Sequence, residues 1–158
     1  MEGGIVVAPR VSLIRASKEE LDTVRMINST LKSSTHTGFL DENDIQDVFK
    51  WGAIFLIKVG GETVGTASFR PDRENSGTAL LRNLEILQEY QGRGIGTETM
   101  QLLLSAVKEL GFKKARSRVR PEKDMSLRIH KRLGFEEVGN DDSFGDGILR
   151  LVMEKRLR

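Results

Sequence analysis

Hydrophobic positions along this chain switch between a period of two and a period near 3.6, and each switch predicts an element boundary. Val11 to Arg15 alternates as a strand, and Ser17-Lys18-Glu19-Glu20 then has the form of a capping box opening a helix. That helix carries Leu21, Val24, Ile27 and Leu31 on one side until the Ser-, Thr- and Gly-rich stretch from Ser33 to Gly38 breaks it. Leu40 to Lys50 predicts a shorter helix, with Ile45, Val48 and Phe49 inward and Asp41, Glu42, Asp44 and Asp47 outward. Trp51 to Val59 is rich in β-branched and aromatic residues and predicts a strand. Gly60-Gly61 then makes a two-residue hairpin turn into Glu62 to Phe69.

After a polar loop from Pro71 to Gly77, Thr78 to Leu87 is mostly apolar, as in a central strand, with Glu85 as its odd member. Gly94 to Leu110 predicts the longest helix, with Ile95, Thr99, Leu102, Leu103, Ala106 and Leu110 on one side and Gly111 as its stop. Lys113 to Arg120 alternates Ala115, Ser117 and Val119 against Arg116, Arg118 and Arg120, a strand pattern. Asp124 is placed to cap a helix that runs through Leu133 and ends at Gly134. Phe135 to Val138 and Ile148 to Lys155 predict a final hairpin joined by Gly139 to Gly147. The order β-α-α-β-β-β-α-β-α-β-β is a mixed α/β arrangement in one layer of sheet flanked by helices. A single domain over 11–158 is expected, behind a flexible tail over 1–10; no internal repeat appears.

Composition narrows the class. With 158 residues, 38% hydrophobic and 30% charged, the chain reads as one soluble globular domain. A net charge of +2 argues little for nucleic acid, and the basic run Lys113 to Arg120 has a strand's alternation with no aromatic residues for base stacking. Without cysteine there is no disulfide and no thiol nucleophile. The two histidines, His36 and His130, are far apart and lack a cysteine set, so no metal is expected. Neither a signal peptide nor a membrane span is apparent, which makes a cytoplasmic protein the default expectation.

Chemistry concentrates in Gln91-Gly92-Arg93-Gly94-Ile95-Gly96-Thr97, where three alternate glycines lie between a strand and a helix. A helix start leaves backbone N–H groups unpaired with the positive end of the helix dipole behind them, and glycines let a phosphate approach closely. The dinucleotide fingerprint needs glycine at Thr97 and the triphosphate loop needs a lysine before a hydroxyl; neither pattern fits. The spacing Gln91, Gly94, Gly96 instead resembles the Q/R-x-x-G-x-G/A signature of the GNAT superfamily of N-acetyltransferases, as does the stretch from Leu84 to Thr97 around it. A second stretch, Arg120-Pro121-Glu122-Lys123 through Ser126, Ile129, His130 and Leu133-Gly134-Phe135, is similar to that family's later motif R-P-x-N-x-x-A-x-x-L-Y-x-K-L-G-F.

The resemblance implies a mostly antiparallel sheet with a splayed central strand pair, and acetyl-CoA as co-substrate. It implies that Gln91, Gly92, Arg93, Gly94, Ile95, Gly96 and Thr97 hold the pyrophosphate, and that amides near Ile86 and Leu87 are left free for the pantetheine arm and thioester oxygen. Acyl transfer also needs the amine deprotonated at attack. Glu85, a carboxylate in an apolar strand, is the candidate base; the other reading has its side chain reach solvent or pair with Arg82. His130 stands where the family pattern has tyrosine, which makes it the candidate general acid toward the leaving thiolate; the plainer reading is a packed histidine. Lys123 replaces the pattern's asparagine and either reaches a CoA phosphate or faces solvent.

The implied activity is transfer of acetyl to a primary amine, on a small molecule or on a protein or peptide, by direct attack without a covalent enzyme intermediate. The acidic residues Asp41, Glu42, Asp44 and Asp47, with Glu136, Glu137, Asp141, Asp142 and Asp146, suggest a cationic acceptor. The alternative is a CoA-binding sensor or interaction module with little catalysis, a reading the absent tyrosine and asparagine favour. Monomer and homodimer are both compatible with the sequence.

Overall fold

A computed structural model describes residues 11–32, 40–142 and 147–157. The period-two segments form seven strands among these residues: β1 (Val11–Arg15), β2 (Ala53–Val59), β3 (Glu62–Pro71), β4 (Thr78–Ile86), β5 (Lys114–Val119), β6 (Glu136–Asp141) and β7 (Arg150–Arg156). The segments of period 3.6 form α1 (Leu21–Lys32), α2 (Glu42–Trp51), α3 (Ile95–Glu109) and α4 (Asp124–Arg132). The expected tail over 1–10, the break from Ser33 to Gly38 and part of the last hairpin's linker lie outside the described residues.

Local chemistry accounts for most boundaries. Ser17 N–H donates to Glu20 Oε1 at 2.9 Å, the return half of a capping box, and Asp44 N–H donates to Asp41 Oδ1 at 2.8 Å at the start of α2. Gly60 and Gly61 have φ of 57° and 85°, the two left-handed residues that a tight hairpin turn with right-handed strand twist demands.

Four details differ from the pattern-based expectation. Trp51 closes α2 instead of opening β2 and is 57% exposed, with Lys50 Nζ 4.8 Å from its ring centre. The buried stripe of α3 is Ile95, Thr99, Met100, Leu103, Leu104 and Val107, so Leu102 and Leu110 face outward; Met100, Leu104 and Val107 continue the i, i+3, i+4 pattern from a different phase. Asp124 lies inside the first turn of α4, and the residue before that helix is Lys123. Strand β6 runs three residues past Val138, to Asp141, paired along β7.

The strands form one sheet in the order β1-β2-β3-β4-β5-β7-β6. All neighbours are antiparallel except β4 and β5. One face packs on α3 and α4: Val64, Ala67, Phe69, Leu103, Val107 and Phe135 share a core to which Leu127 and Leu133 add. The other face packs on α1 and α2 through Leu21, Val24, Ile45, Val48, Ile54 and Leu56. Each such enclosed aliphatic side chain contributes about 1.5–3 kcal/mol of transfer free energy. The parallel pair is the exception in this otherwise continuous ladder: β4 and β5 are joined only at Thr78↔Lys114, Ala79↔Ala115 and Leu80↔Arg116. Beyond Leu80 the two strands part, while β4 stays paired to β3 as far as Ile86 and β5 to β7 as far as Val119. The register between β3 and β4 skips Arg82, placing a bulge where the divergence begins.

Gly65 holds β3 against the far end of β4. A Cβ there would lie 2.0 Å from the Glu85 carbonyl oxygen, closer than any real contact. Gly65→Ala is expected to destabilise the protein by about 1–3 kcal/mol, the usual scale of overpacking. Urea unfolding read by tryptophan fluorescence and by circular dichroism checks this.

Candidate active site

The parting of β4 and β5 opens a cleft of about 940 Å³, walled by Leu84 and Ile86 of β4, Ser117 of β5, the loop before α3 and the inner face of α4. Strand parity decides which backbone groups face it. Leu87 N–H donates to the Val64 carbonyl at 2.8 Å, so the N–H groups of Leu84 and Ile86, three residues and one residue back, project from the opposite edge of β4 into the gap. The expectation of free amides at both Ile86 and Leu87 thus holds for Ile86 and fails for Leu87, whose amide is committed to β3. On the same edge, Gln91 Nε2 donates to the Ile86 carbonyl at 2.9 Å. This satisfies the acceptor and leaves the donor facing the cleft, the pairing expected of an edge that receives a ligand carbonyl.

The glycine loop meets this edge. Gly92 and Gly94 have φ of 77° and 79°, and a Cβ at either would meet nothing within 4 Å. Glycine is required by backbone conformation, and the space beside it is open. The first intrahelical bond of α3 runs from Glu98 N–H to the Gly94 carbonyl at 3.1 Å, so the amides of Ile95, Gly96 and Thr97 have no acceptor within the helix. The acid of this first turn is turned away: Glu98 Oε1 accepts from Val11 N–H at 2.9 Å. Three amides and the positive end of a 15-residue helix therefore face the cleft.

Of the expected cofactor-binding residues, the cleft brings together Ile86, Gln91, Gly92, Gly94, Ile95, Gly96, Thr97 and Lys123. Leu87 and Arg93 stand outside its lining among the described residues. The Arg93 guanidinium lies 5.3 Å from the Tyr90 ring centre, and Tyr90 in turn donates to Glu62 at 3.3 Å. Lys123 is exposed on the cleft rim just before α4.

His130 is 4% exposed and lines the cleft. Its Nδ1 lies 2.7 Å from the Ser126 carbonyl oxygen and its Nε2 lies 3.0 Å from Ser117 Oγ, with Phe135 packed edge-on at 4.8 Å. A carbonyl only accepts, so Nδ1 carries the hydrogen; in the neutral ring Nε2 then accepts from the Ser117 hydroxyl. Burial pushes the imidazole below its ordinary value of 6.5, opposed by the Ser126 carbonyl, and the neutral ring is the resting form. Ser117 is a cleft residue that the sequence pattern did not single out. Its signal was a polar side chain on the inward face of a strand, between Ala115 and Val119.

Glu85 is brought elsewhere. It is fully enclosed and sits across from Thr66, between Leu84 and Ile86, whose side chains pack on the α3 face. Alternation therefore turns Glu85 toward the α1 and α2 face, and it is absent from the described cleft lining. Four of the acidic residues expected to draw a cation are paired with arginines, whereas Asp41, Glu136, Glu137 and Asp142 are exposed and Asp146 lies outside the described residues. Glu42 pairs with Arg25 at 2.9 Å, Asp44 with Arg82 at 3.2 Å, Asp47 with Arg73 at 2.6 Å and Asp141 with Arg118 at 2.5 Å. The Arg25 guanidinium, with Gln46, holds the Glu42 carboxyl down to about 2. Arg82, Arg118 and Arg150 stand on the cleft wall.

A ladder opened at one parallel pair, with a helix N-terminus aimed into the opening, is the architecture of a thioester-binding acyltransferase. The chain belongs to the acetyltransferase (GNAT) family, whose model matches residues 24–135. Ard1 from Thermoplasma volcanium has the same fold, with a TM-score of 0.76 at 20% identity over 95% of this chain and 98% of that one. Arabidopsis thaliana Naa50, solved with the bisubstrate analogue CoA-Ac-MVNAL, gives 0.76 at 18% over 94% and 99%. The ribosomal-protein-S18-alanine N-acetyltransferase of Escherichia coli gives 0.76 at 16% over 94% of each chain. The fold is thus that of N-acetyltransferases, and acetyl-CoA is the acyl donor the family implies. The residues present fit it: open amides for a pyrophosphate, room beside Gly92 and Gly94, and the Ile86 donor for a carbonyl of the arm. No group of three or more His, Cys, Asp or Glu side chains among the described residues is arranged to hold a metal, and no described helix is long and apolar enough to cross a membrane.

Two measurements check this site. Gly94→Val forces a β-branched residue to a left-handed φ of 79°, which costs about 1–2 kcal/mol. Relief of that strain distorts the loop, and calorimetry is expected to show CoA affinity reduced about tenfold or more. For His130 the folded value lies below the unfolded one, so its contribution to stability is complete above about pH 6.5 and is lost as pH falls through the folded value. Between pH 7.5 and 5.5 the urea midpoint of the wild type is expected to fall more than that of His130→Phe. The lowered carboxylates Asp47, Asp72 and Glu154 lose their contribution only in a more acidic window.

Proposed function

We propose that this protein transfers the acetyl group of acetyl-CoA to a primary amine by direct attack, without an acyl-enzyme. One observation carries the reading: the Ile86 N–H, the open amides at the start of α3 and a buried histidine converge on a single cleft. When bound, acetyl-CoA supplies an activated acyl carbon as a thioester. The chain's part is to hold the phosphates at Gly92 to Thr97, to offer the Ile86 amide to a carbonyl of the arm, and to keep water from the reacting end with Leu81, Leu84 and Met100.

The proton-handling residues are assigned by position. His130 turns its hydrogen-free nitrogen to Ser117, so a role as acid toward sulfur follows only once the ring has taken up a proton. Glu85 lies behind β4, and its enclosure suits support of the bulged strand more than contact with an amine. Glu85→Gln is accordingly expected to lower the unfolding midpoint while kcat stays close to wild type. A fall in kcat of about 10²-fold or more with stability retained would make Glu85 the base after all.

For the acceptor, Glu42, Asp44 and Asp47 of α2 and Asp141 of β6 are met by arginines, which weakens the field that would draw a cation. The deciding assay follows thiol release from acetyl-CoA with a neutral monoamine, spermidine, glucosamine and an alanine-initiated peptide, each against a control without amine. Amine-dependent release is expected in at least one arm, and spermidine should gain no advantage at low salt over the neutral amine. CoA binding with no amine-dependent release in an extended panel would identify a binding module instead.

A further inference from the structure

A hydroxyl at position 117 is out of keeping with its strand, whose other inward residues, Ala115 and Val119, are apolar and buried. Ser117 is 8% exposed, lines the cleft, and lies 3.0 Å from the one nitrogen of His130 that carries no hydrogen. The other nitrogen is fixed by the Ser126 carbonyl, one turn back on α4, so the ring cannot exchange the roles of its two nitrogens without losing that bond. The three groups form a series: a carbonyl that sets the tautomer, an imidazole with its lone pair aimed at Ser117, and a hydroxyl whose oxygen lone pairs remain for the cleft. A proton acceptor whose lone pair is aimed at a hydroxyl in the cleft can be reached through that hydroxyl, as in a relay.

We propose that Ser117 and His130 together carry the proton of the attacking amine to the departing sulfur. The proposal rests on the acetyl-transfer reading above. As the new C–N bond forms, Ser117 Oγ takes a proton from nitrogen while its own hydroxyl proton passes to His130 Nε2. As the C–S bond breaks, the same two transfers run in reverse and a proton arrives on sulfur. One proton leaves nitrogen, one reaches sulfur, and both side chains return to their starting state. A neutral imidazole thus serves first as base and then as acid, which a histidine can do where a tyrosine, protonated at rest, begins as acid. The ring stays hydrogen-bonded at Nδ1 throughout, so neither transfer requires it to turn.

The test begins with the free protein. Nitrogen-15 spectra, assigned against His130→Phe, are expected to show His130 with hydrogen on Nδ1 and a bare, hydrogen-bonded Nε2. In Ser117→Ala the tautomer should persist while the Nε2 resonance moves. With acetyl-CoA and the fastest amine of the panel, Ser117→Ala is expected to lower kcat about 10²-fold with the KM for acetyl-CoA little changed, and Ser117→Thr should restore most of it. A proton inventory in mixed light and heavy water should be curved for wild type and linear for Ser117→Ala. Hydrogen on Nε2 in the resting protein, a Ser117→Ala variant as fast as wild type, or an acetyl group trapped on Ser117 by intact-mass analysis would each overturn the relay. A wild type that binds CoA but serves no amine overturns the parent reading, whereas normal transfer by Ser117→Ala overturns the relay alone.

Discussion

Everything functional in this protein depends on a parallel strand pair that is allowed to form for three residues and then prevented. At the closed end, the amides of Lys113 and Lys114 both donate to the Gly77 carbonyl, at 2.8 and 3.2 Å, and pin the start of β5 to that of β4. Past Leu80 each strand is held only by its outer neighbour, β4 by β3 and β5 by β7. The sheet behaves as two antiparallel halves hinged at one corner. The cost of the opening is confined to the backbone groups along the two inner edges. Part of it is offset within the chain, where the Gln91 side chain serves the Ile86 carbonyl, and the helix start and glycine loop fill the space that the second strand vacates. The donors that remain face the cleft.

Features specified over a few residues were legible in the sequence. Gly60-Gly61, the alternation of β5 and the glycine loop each depend on local backbone geometry, and each formed where the pattern placed it. The misread features depend on distant partners. Whether Glu85 faces the cleft or the opposite helices is a matter of parity along β4, and a single bulge at Arg82 shifts that parity. The apolar run from Thr78 to Leu87 has no alternation from which the facing could be read. Leu102 and Leu110 fail for a related reason, since α3 is apolar on more than one side and its neighbours choose the stripe that is buried. The Leu87 amide followed the same rule: an antiparallel partner claimed it, and only Val64, 23 positions earlier in the sequence, could reveal that.

Charge illustrates the point most directly. The acids of α2 form a local run that, taken by itself, is a negative field. Folding lays that helix over the sheet, where Arg70, Arg73 and Arg82 from β3, β4 and the loop between them meet Asp44 and Asp47 at 2.6 to 3.4 Å. Opposite charges far apart in sequence are drawn together because desolvating either sign alone costs more than desolvating the pair. Runs of one sign therefore predict ion pairs with another element at least as readily as they predict a field toward solvent.

The same desolvation, acting on a neutral group, has the opposite use. Among the described residues no acid is placed to hold a proton on the His130 ring, which meets a carbonyl, a hydroxyl and the edge of Phe135. Burial without a counter-charge keeps an imidazole neutral, and a neutral imidazole is the form able to accept a proton near physiological pH. A carboxylate next to Nδ1 would raise the basicity of the ring and bias it toward the charged form. The backbone carbonyl of Ser126 fixes the tautomer as a carboxylate would, with a far smaller electrostatic bias toward the charged ring. The cleft thus pairs a fixed positive end, the open amides of α3, with an uncharged imidazole on α4 that no acid among the described residues holds charged.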